Sequence, residues 1–225
     1  FFNSDVILSK ANAVDSMDYL YRNGHHDECL FVHGGKGTLK TNFGSLNLAY
    51  GDYAIIPRGV IWQLDVIEPL ELFITETAGP IETPNRYRNK LGQLLEHSPY
   101  SERDIKTPVL GDPQPDGPIE VKVRLAQGLQ SYEYKHHPFD VVGWDGYYFP
   151  WVFDVNDFMP ITGKVHQPPP VHQVFQAPGL VICNFVPRLF DYHPEAVPAP
   201  YAHSNVDSDE ILYNVAGDFM SREGM

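Results

Sequence analysis

The stretch Tyr201-Ala-His-Ser-Asn-Val-Asp-Ser-Asp-Glu-Ile-Leu-Tyr-Asn-Val-Ala-Gly217 decides how the chain is interpreted. Its pattern indicates a loop that carries His203, then Glu210 at the start of a strand predicted over residues 211–216, then a glycine turn. An imidazole and a carboxylate brought together are metal ligands. With a second histidine they would form the two-His-one-carboxylate face that binds non-haem Fe(II). The alternative is a loop histidine beside a solvated glutamate on an edge strand.

An earlier part of the chain repeats this pattern. Tyr21-Arg-Asn-Gly-His-His-Asp-Glu28 aligns without a gap with residues 203–210, and in both copies an apolar run then leads to a glycine. Internal self-similarity indicates repeated structural units, so we predict two related β units in one chain. The copies differ where the second has His203, because the first has Tyr21 at that position.

Composition narrows the class of protein. A chain of 225 residues that is 43% hydrophobic can bury a sizeable core, in one large or two small domains. A net charge of -13 without a Lys/Arg cluster argues against nucleic acid and anionic membranes as partners. Twenty prolines, eighteen glycines and many short apolar runs favour an all-β sandwich or barrel. No run is long enough to span a bilayer, and no secretory leader is recognisable.

The cysteines and the chain ends carry further expectations. Cys29 and Cys183 lie in strand-like apolar runs, which predicts core residues in a reducing compartment and hence a cytoplasmic protein. The chain opens on Phe1 without a methionine and stops at Met225, in a polar turn just after one predicted strand of the second unit. A β unit cannot close there, so we expect a chain truncated at its C-terminus.

The first unit shows short predicted strands separated by glycine or proline turns. They cover residues 29–32, 38–41, 46–49, 53–56, 60–64 and 70–77, with a glycine turn expected at 34–37. A Pro/Gly-rich segment, 79–118, is predicted as a surface arm that could equally pack on a neighbouring subunit. Residues 119–129 alternate as an antiparallel strand does. We therefore predict a first domain over 1–158 and the start of a second over 159–225.

Glu28-x6-Gly35 followed by Gly51-Asp-Tyr-Ala-Ile-Ile-Pro-Arg-Gly59 resembles the paired motifs of the cupin superfamily. In that superfamily three histidines and a glutamate bind a metal. The resemblance assigns these ligand positions to Tyr21, Asn23, Glu28 and Trp62. Only the glutamate is retained, which predicts a first unit without a metal. His25 and His26 lie nearby at the wrong offsets, and we expect a solvated loop pair.

The aromatic-dense residues 138–159 leave two interpretations, a core or interface slab and a wall for a flat aromatic ligand. The stretch resembles, nearly residue for residue, one at the domain junction of homogentisate 1,2-dioxygenases. The matching residues are Pro138-Phe139, Val141-Val142, Trp144, Gly146, Tyr148, Pro150 and Asp157-Phe158-Met159. This resemblance implies an all-β bicupin, with two jelly-roll-like barrels or sandwiches joined by the arm at 79–118.

The same resemblance implies that His203 and Glu210 are Fe(II) ligands. The third ligand of the family is a histidine on a later strand, which the repeat places about twenty residues beyond Met225. The family usually has one residue fewer between its histidine and its glutamate, so Asp209 competes as the carboxylate. We prefer Glu210, because the first copy has its glutamate at the matching position.

Histidines also flank a proline-stiffened loop, His166-Gln-Pro-Pro-Pro-Val-His172. A stiff loop fixes where an imidazole points, and imidazole suits proton transfer near neutral pH, although most loop histidines are structural. The resemblance implies that His166 faces the substrate and acts on its hydroxyl proton, whereas His172 is expected to be structural or to support a ligand. Tyr201 and Phe219 are the expected substrate contacts. The family tends to have a tyrosine at the position of Phe219, which leaves the exact substrate open.

The activity that the resemblance implies is ring cleavage of homogentisate with O2 to maleylacetoacetate, or of a related hydroquinone acid, in tyrosine and phenylalanine catabolism. The family assembles as trimers paired into hexamers. Two alternatives stay open from the residues alone. One is a cupin isomerase or hydrolase that uses another divalent metal and no O2. The other is a non-enzymatic bicupin with a binding or structural role, which the altered first unit fits.

Overall fold

The structure is a computed structural model that describes residues 1–160, 172–186 and 204–217 of the chain. These residues contain twelve β-strands and three short 3₁₀ helices, and none of them lies in an α-helix. The predicted all-β class is confirmed. Within the described residues, no helix has the length and apolar character needed to cross a membrane.

Ten strands form one sheet and the last two form a separate hairpin. The sheet strands are β1 Val6–Ala13, β2 Leu20–Asn23, β3 Asp27–Thr41, β4 Gly44–Ala49, β5 Asp52–Ile56, β6 Ile61–Thr77, β7 Ile105–Lys106, β8 Ile119–Leu125, β9 Gly128–Tyr134 and β10 Trp151–Asp154. The hairpin strands are β11 Gln173–Ala177 and β12 Leu180–Cys183, and the 3₁₀ helices span Asn85–Tyr87, Glu102–Asp104 and Val155–Asp157. The sheet order is β7-β10-β5-β3-β6-β2-β8-β9, with β1 paired to β6 and β4 paired to β3.

Two long antiparallel strands, β3 and β6, form the centre of the sheet. The sequence predicted a turn at residues 34–37, and the structure shows instead one continuous strand with register shifts at these residues. Gly35 has φ +83°, and a Cβ there would lie 1.9 Å from the Pro69 carbonyl oxygen. The glycines therefore bend the strand through bulges rather than reversing it. The two runs predicted at 60–64 and 70–77 likewise form the single strand β6.

Two principal apolar clusters pack the unit. The first lies within the sheet, and its buried residues are Leu30, Val32, Leu39, Leu46, Leu48, Ala54, Ile56, Val60, Leu64, Leu70, Leu72 and Val152. The second joins the sheet to Tyr87 and Tyr100 of the arm and to Val174 and Phe175 of β11. The arm at 79–118 thus contributes buried side chains to its own chain. Cys29 is buried, Cys183 is partly buried, and both are free thiols.

The aromatic-dense stretch divides in two. Its end forms β10, which lies between β7 and β5 with Val152 and Phe153 fully buried, as a core slab requires. Its earlier part is exposed, with Val142 and Tyr147 at 80% and 98% exposure. The core interpretation therefore describes residues near 150–154 and Phe158, which is 3% exposed and packs in the second apolar cluster.

The second unit differs from two predictions. A strand was predicted over 211–216, and the structure has no strand there. Strands exist through backbone pairing with a neighbour, and within the described residues no strand pairs with this segment, whose side chains are mostly exposed. The buried strand predicted at 180–186 is shorter, spanning 180–183, with Val181 at 56% exposure. The bicupin architecture and the two domain ranges stay predictions.

Candidate functional site

The four positions assigned by the cupin resemblance converge on one place. Tyr21 and Asn23 project from the same face of β2, because they are two residues apart on a strand. Trp62 of β6 is the register partner of Tyr21, and their rings meet edge to face with centroids 5.0 Å apart. Glu28 of β3 lies between these side chains. We call Tyr21, Asn23, Glu28 and Trp62 the first-unit centre.

Three side-chain hydrogen bonds at this centre are donated to the Glu28 carboxyl group. Asn23 Nδ2 donates to Glu28 Oε1 at 3.1 Å, and the Tyr21 hydroxyl donates to the same oxygen at 3.4 Å. Trp62 Nε1 donates to Glu28 Oε2 at 3.1 Å. An indole N–H is a donor only and has no lone pair for a metal. The donor set of the first-unit centre therefore does not fit a metal ion, and it binds a carboxyl group instead.

A second carboxylate, Glu76 of β6, belongs to the same network. It is the register partner of Glu28, and the same Asn23 Nδ2 donates to its Oε2 at 3.0 Å. Arg124 Nη1 of β8 donates to Glu76 Oε1 at 2.5 Å. Glu28 and Glu76 are 4% and 3% exposed. The positions that the cupin resemblance assigned do not include Glu76 or Arg124, although a glutamate within the apolar run at 70–77 was an available signal.

Burial sets the ionisation of these groups. It raises the pKa of Glu28 to about 7, against the opposing effect of the hydrogen bonds from Asn23 and Trp62 and with the help of the nearby Glu76 charge. Burial also raises the pKa of Tyr21, and the Glu28 charge adds to that shift. It lowers the pKa of His26, whose Nδ1 is 3.8 Å from Glu76 Oε2. Burial thus moves the pKa of the Glu28 carboxyl from its ordinary acidic value toward neutral pH.

The loop after β2 is fastened to the centre through its backbone. Asn23 Oδ1 accepts hydrogen bonds from the backbone N–H groups of His25 and His26 at 3.0 and 2.9 Å. Both side-chain atoms of Asn23 are therefore used, one toward the carboxylates and one toward the loop. Residues 1–160, 172–186 and 204–217 contain no group of three or more His, Cys, Asp or Glu side chains able to hold a metal ion.

Most predicted residues of the second unit, namely His166, Tyr201, His203 and Phe219, lie outside the described residues. Glu210 is described and exposed. Burial raises the pKa of the Cys183 thiol to about 11, and the charge of Glu210 adds to this shift. The competing carboxylate, Asp209, accepts a hydrogen bond from Asn3 Nδ2 at 3.3 Å.

The hairpin of β11 and β12 is held on the first unit by three tyrosines, each of which donates a hydrogen bond to it. The pairs are Tyr53 with Asn184 Oδ1 at 2.7 Å, Tyr87 with the Gln173 carbonyl at 2.8 Å and Tyr100 with the Val174 carbonyl at 2.6 Å. Burial raises the pKa of all three phenols, that of Tyr87 to about 12. His172, predicted to be structural or supporting, is buried beside this hairpin with its Nδ1 3.1 Å from the Asn184 carbonyl oxygen.

The described residues form an all-β protein. At the positions that the cupin resemblance assigned to metal ligands, Asn23 and Trp62 instead donate hydrogen bonds to Glu28. The family model described as "Homogentisate 1,2-dioxygenase N-terminal" matches residues 6–155. The chain belongs to this family, and the family predicted from the sequence is confirmed.

Curated relatives agree with this assignment. "Putative dioxygenase SSO1533" of Saccharolobus solfataricus is 46% identical over 100% of this chain and 58% of its own length. A homogentisate 1,2-dioxygenase of Nitrobacter hamburgensis is 32% identical over 84% of this chain and 44% of its own length. The chain thus spans about half the length of these relatives. A cupin crystal structure from Bacteroides fragilis aligns with 34% of this chain and 68% of its own, at 15% identity and a TM-score of 0.31, too low to bear on the fold.

Proposed function

We propose that the chain is part of an Fe(II)-dependent dioxygenase that opens the ring of homogentisate or a related hydroquinone acid with O2. Homogentisate would give maleylacetoacetate, within tyrosine and phenylalanine catabolism. The single observation that carries the proposal is the family match over residues 6–155. The names of the two relatives above support it.

The two units divide the work in this proposal. The first is a scaffold, since the donors of the first-unit centre surround a carboxyl group and do not fit a metal. The second, proposed over 159–225, supplies the ligands His203 and Glu210, and a histidine beyond Met225 completes the set. Glu210 is preferred to Asp209 in this role because the first copy of the repeat has its glutamate, Glu28, at the matching position.

The residues of the chain each have one proposed task in the reaction. Iron held by His203 and Glu210 would supply Lewis acidity toward a phenol and redox activity toward O2. His166 takes the proton of the second hydroxyl of the hydroquinone, which makes the ring electron-rich. Tyr201 and Phe219 contact the ring and orient it. Phe219 has no hydroxyl to donate, so discrimination among ring substituents is weaker at that position.

The assembly and location are proposed on the same footing. A homo-oligomer, trimeric or hexameric, would use parts of the arm at 79–118 that point outward, such as Leu91 and Val109, at 84% and 74% exposure. Free thiols at Cys29 and Cys183 suit a reducing, cytoplasmic compartment.

O2 uptake tests the proposed activity directly. The whole protein that carries this chain is purified, loaded anaerobically with Fe(II), and mixed with homogentisate or gentisate in an oxygen electrode. We expect uptake with homogentisate that is lost in the His203→Ala variant and greatly reduced in His166→Ala. No uptake with either substrate would overturn the proposal. Turnover of a substrate without O2 would favour a cupin isomerase or hydrolase.

A further inference from the structure

The first-unit centre and its neighbours bury two carboxyl groups, whereas only one guanidinium of the described residues contacts them. Glu28 and Glu76 are opposite each other on β3 and β6, both almost fully buried, and both accept from one Asn23 amide. One guanidinium, that of Arg124, contacts Glu76. The side chains that donate hydrogen bonds to Glu28, those of Tyr21, Asn23 and Trp62, are neutral. Two carboxylates and one cation would leave a net negative charge away from water, which is costly.

Groups from every neighbouring element face the pair. They are Tyr21 and Asn23 from β2, Trp62 from β6, Arg124 from β8, His26 from the loop after β2, and farther out His25 and Arg58, whose charges act on His26. His26 does not balance the charge, because burial lowers its pKa. With one cation for two buried carboxylates, a proton bound to one of the carboxyl groups is the remaining way to neutralise the centre.

We propose that Glu28 retains a proton in the folded chain at neutral pH, so that Arg124 alone balances Glu76 and the docking of the β8–β9 hairpin becomes proton-linked. Ionisation of Glu28 leaves the closed centre with an uncompensated buried charge. The reaction is a simple proton release from the Glu28 carboxyl to water, with no other group changed. The raised pKa of Glu28 agrees with this assignment.

The β8–β9 hairpin is suited to respond to ionisation of Glu28 because its backbone pairs with the rest of the sheet along one edge only. Strand β8 pairs in parallel with the four residues of β2, and β9 is its other neighbour, with six of seven residues exposed. The Gly24 N–H donates to the Arg124 carbonyl at 2.9 Å, so the residue that supplies the cation also anchors the loop. Lys122 Nζ lies 3.6 Å from the centroid of the Tyr19 ring. Arg124 is the hairpin residue that enters the charged centre.

A carboxyl-carbon NMR titration tests the proton directly. The full chain is labelled with ¹³C at glutamate, and the Glu28 signal is assigned by its loss in Glu28→Gln. We expect one resonance to titrate near neutral pH, about two units above a free glutamate side chain. A Glu28 resonance that titrates at the ordinary acidic value would overturn the proposal.

Amide exchange tests the link to the hairpin. Protection of the β8 amides, corrected for the intrinsic pH dependence of exchange, should fall several-fold between pH 6 and pH 8 in the wild type and stay constant in Glu28→Gln. An equal fall in both proteins would refute the link. In Arg124→Gln the Glu28 midpoint should rise by about one unit, since an opposite charge is lost. Lys36→Gln, which removes the cation of the exposed Lys36–Glu68 pair, is the control and should leave the Glu28 midpoint unchanged. If Arg124→Gln does not fold, the comparison of β8 amide protection between the wild type and Glu28→Gln still tests the link.

Discussion

Glu28 and Glu76 are direct cross-strand partners in the interior of the first unit, and a single Asn23 amide nitrogen donates to both carboxyl groups, at 3.1 and 3.0 Å. Two like-charged side chains facing each other across a strand pair normally destabilise a sheet. Here the arrangement is compatible with folding because Arg124 contacts one of them and burial raises the pKa of the other to about 7. The pH dependence of stability follows from this pair.

The unfolding free energy should decrease between pH 5 and pH 8. Glu28 binds its proton more tightly when folded, with a pKa raised from 4.5 to about 7, so the folded chain carries the extra proton within that window. Its relative stability is therefore greatest at the acidic end and falls as pH rises, by at most ~3 kcal/mol. Urea unfolding of wild type and Glu28→Gln at both pH values measures this. A variant with the same pH dependence as the wild type would contradict the assignment, and Glu68→Gln at an exposed site is the control.

Trp62→Phe should destabilise the first unit by about 1–3 kcal/mol, because the Glu28 Oε2 atom loses its Nε1–H donor inside the protein. The loss should be greater at pH 8 than at pH 5, since an ionised carboxylate needs the donor more than a neutral acid does. Thermal unfolding at the two pH values measures both effects. Trp144→Phe, at a half-exposed ring, is the matched control. An equal decrease in stability at both pH values would argue against a charge change at Glu28.

Gly35→Ala should be among the most damaging single substitutions in the chain, costing at least about 3 kcal/mol. The residue has φ +83°, and the added Cβ would overlap the Pro69 carbonyl oxygen at 1.9 Å. Gly92→Ala is the control, because Gly92 has φ +88° with open space around its Cβ position, and backbone strain alone costs about 1–2 kcal/mol. Equal denaturation midpoints for the two variants would show that the bulge in β3 relaxes easily.

Tyr100→Phe should loosen the β11–β12 hairpin by about 1–2 kcal/mol, since it leaves the buried Val174 carbonyl without the hydroxyl that donates to it at 2.6 Å. The ring stays in place, so packing against Phe153 and Phe175 is kept. Tyr132→Phe, on the exposed face of β9, removes a hydroxyl at no such cost. Proteolysis within residues 172–186 should accelerate for the first variant only. Unchanged proteolysis would mean that the apolar cluster alone holds the hairpin.

The sequence predicted the fold class and most strands of the first unit, because apolar alternation is a local property. It misjudged residues 34–37, since glycines suit a reversal and a bulge equally, and only the partner strand β6 distinguishes them. The prediction of a strand at 211–216 was wrong for a related reason. Alternation of side chains shows that a segment could form a strand, whereas a strand also needs a neighbouring strand for backbone pairing.

The first-unit centre could be predicted in part. The resemblance to the cupin motifs placed Tyr21, Asn23, Glu28 and Trp62 in one set, and the structure brings them together. Glu76 and Arg124 were out of reach because no motif includes them. They enter through cross-strand register and through the parallel pairing of β2 with β8, which are long-range relationships.

The central claim is that the metal belongs to the second unit and not to the first. Iron content of the whole protein, loaded anaerobically with Fe(II) and freed of excess metal, tests it without reference to activity. We predict that Glu210→Gln loses the bound iron, whereas Glu28→Gln and the neighbouring Asp209→Asn retain it at the wild-type level. Iron retained in Glu210→Gln, or lost in Glu28→Gln while the protein stays folded, would contradict the account.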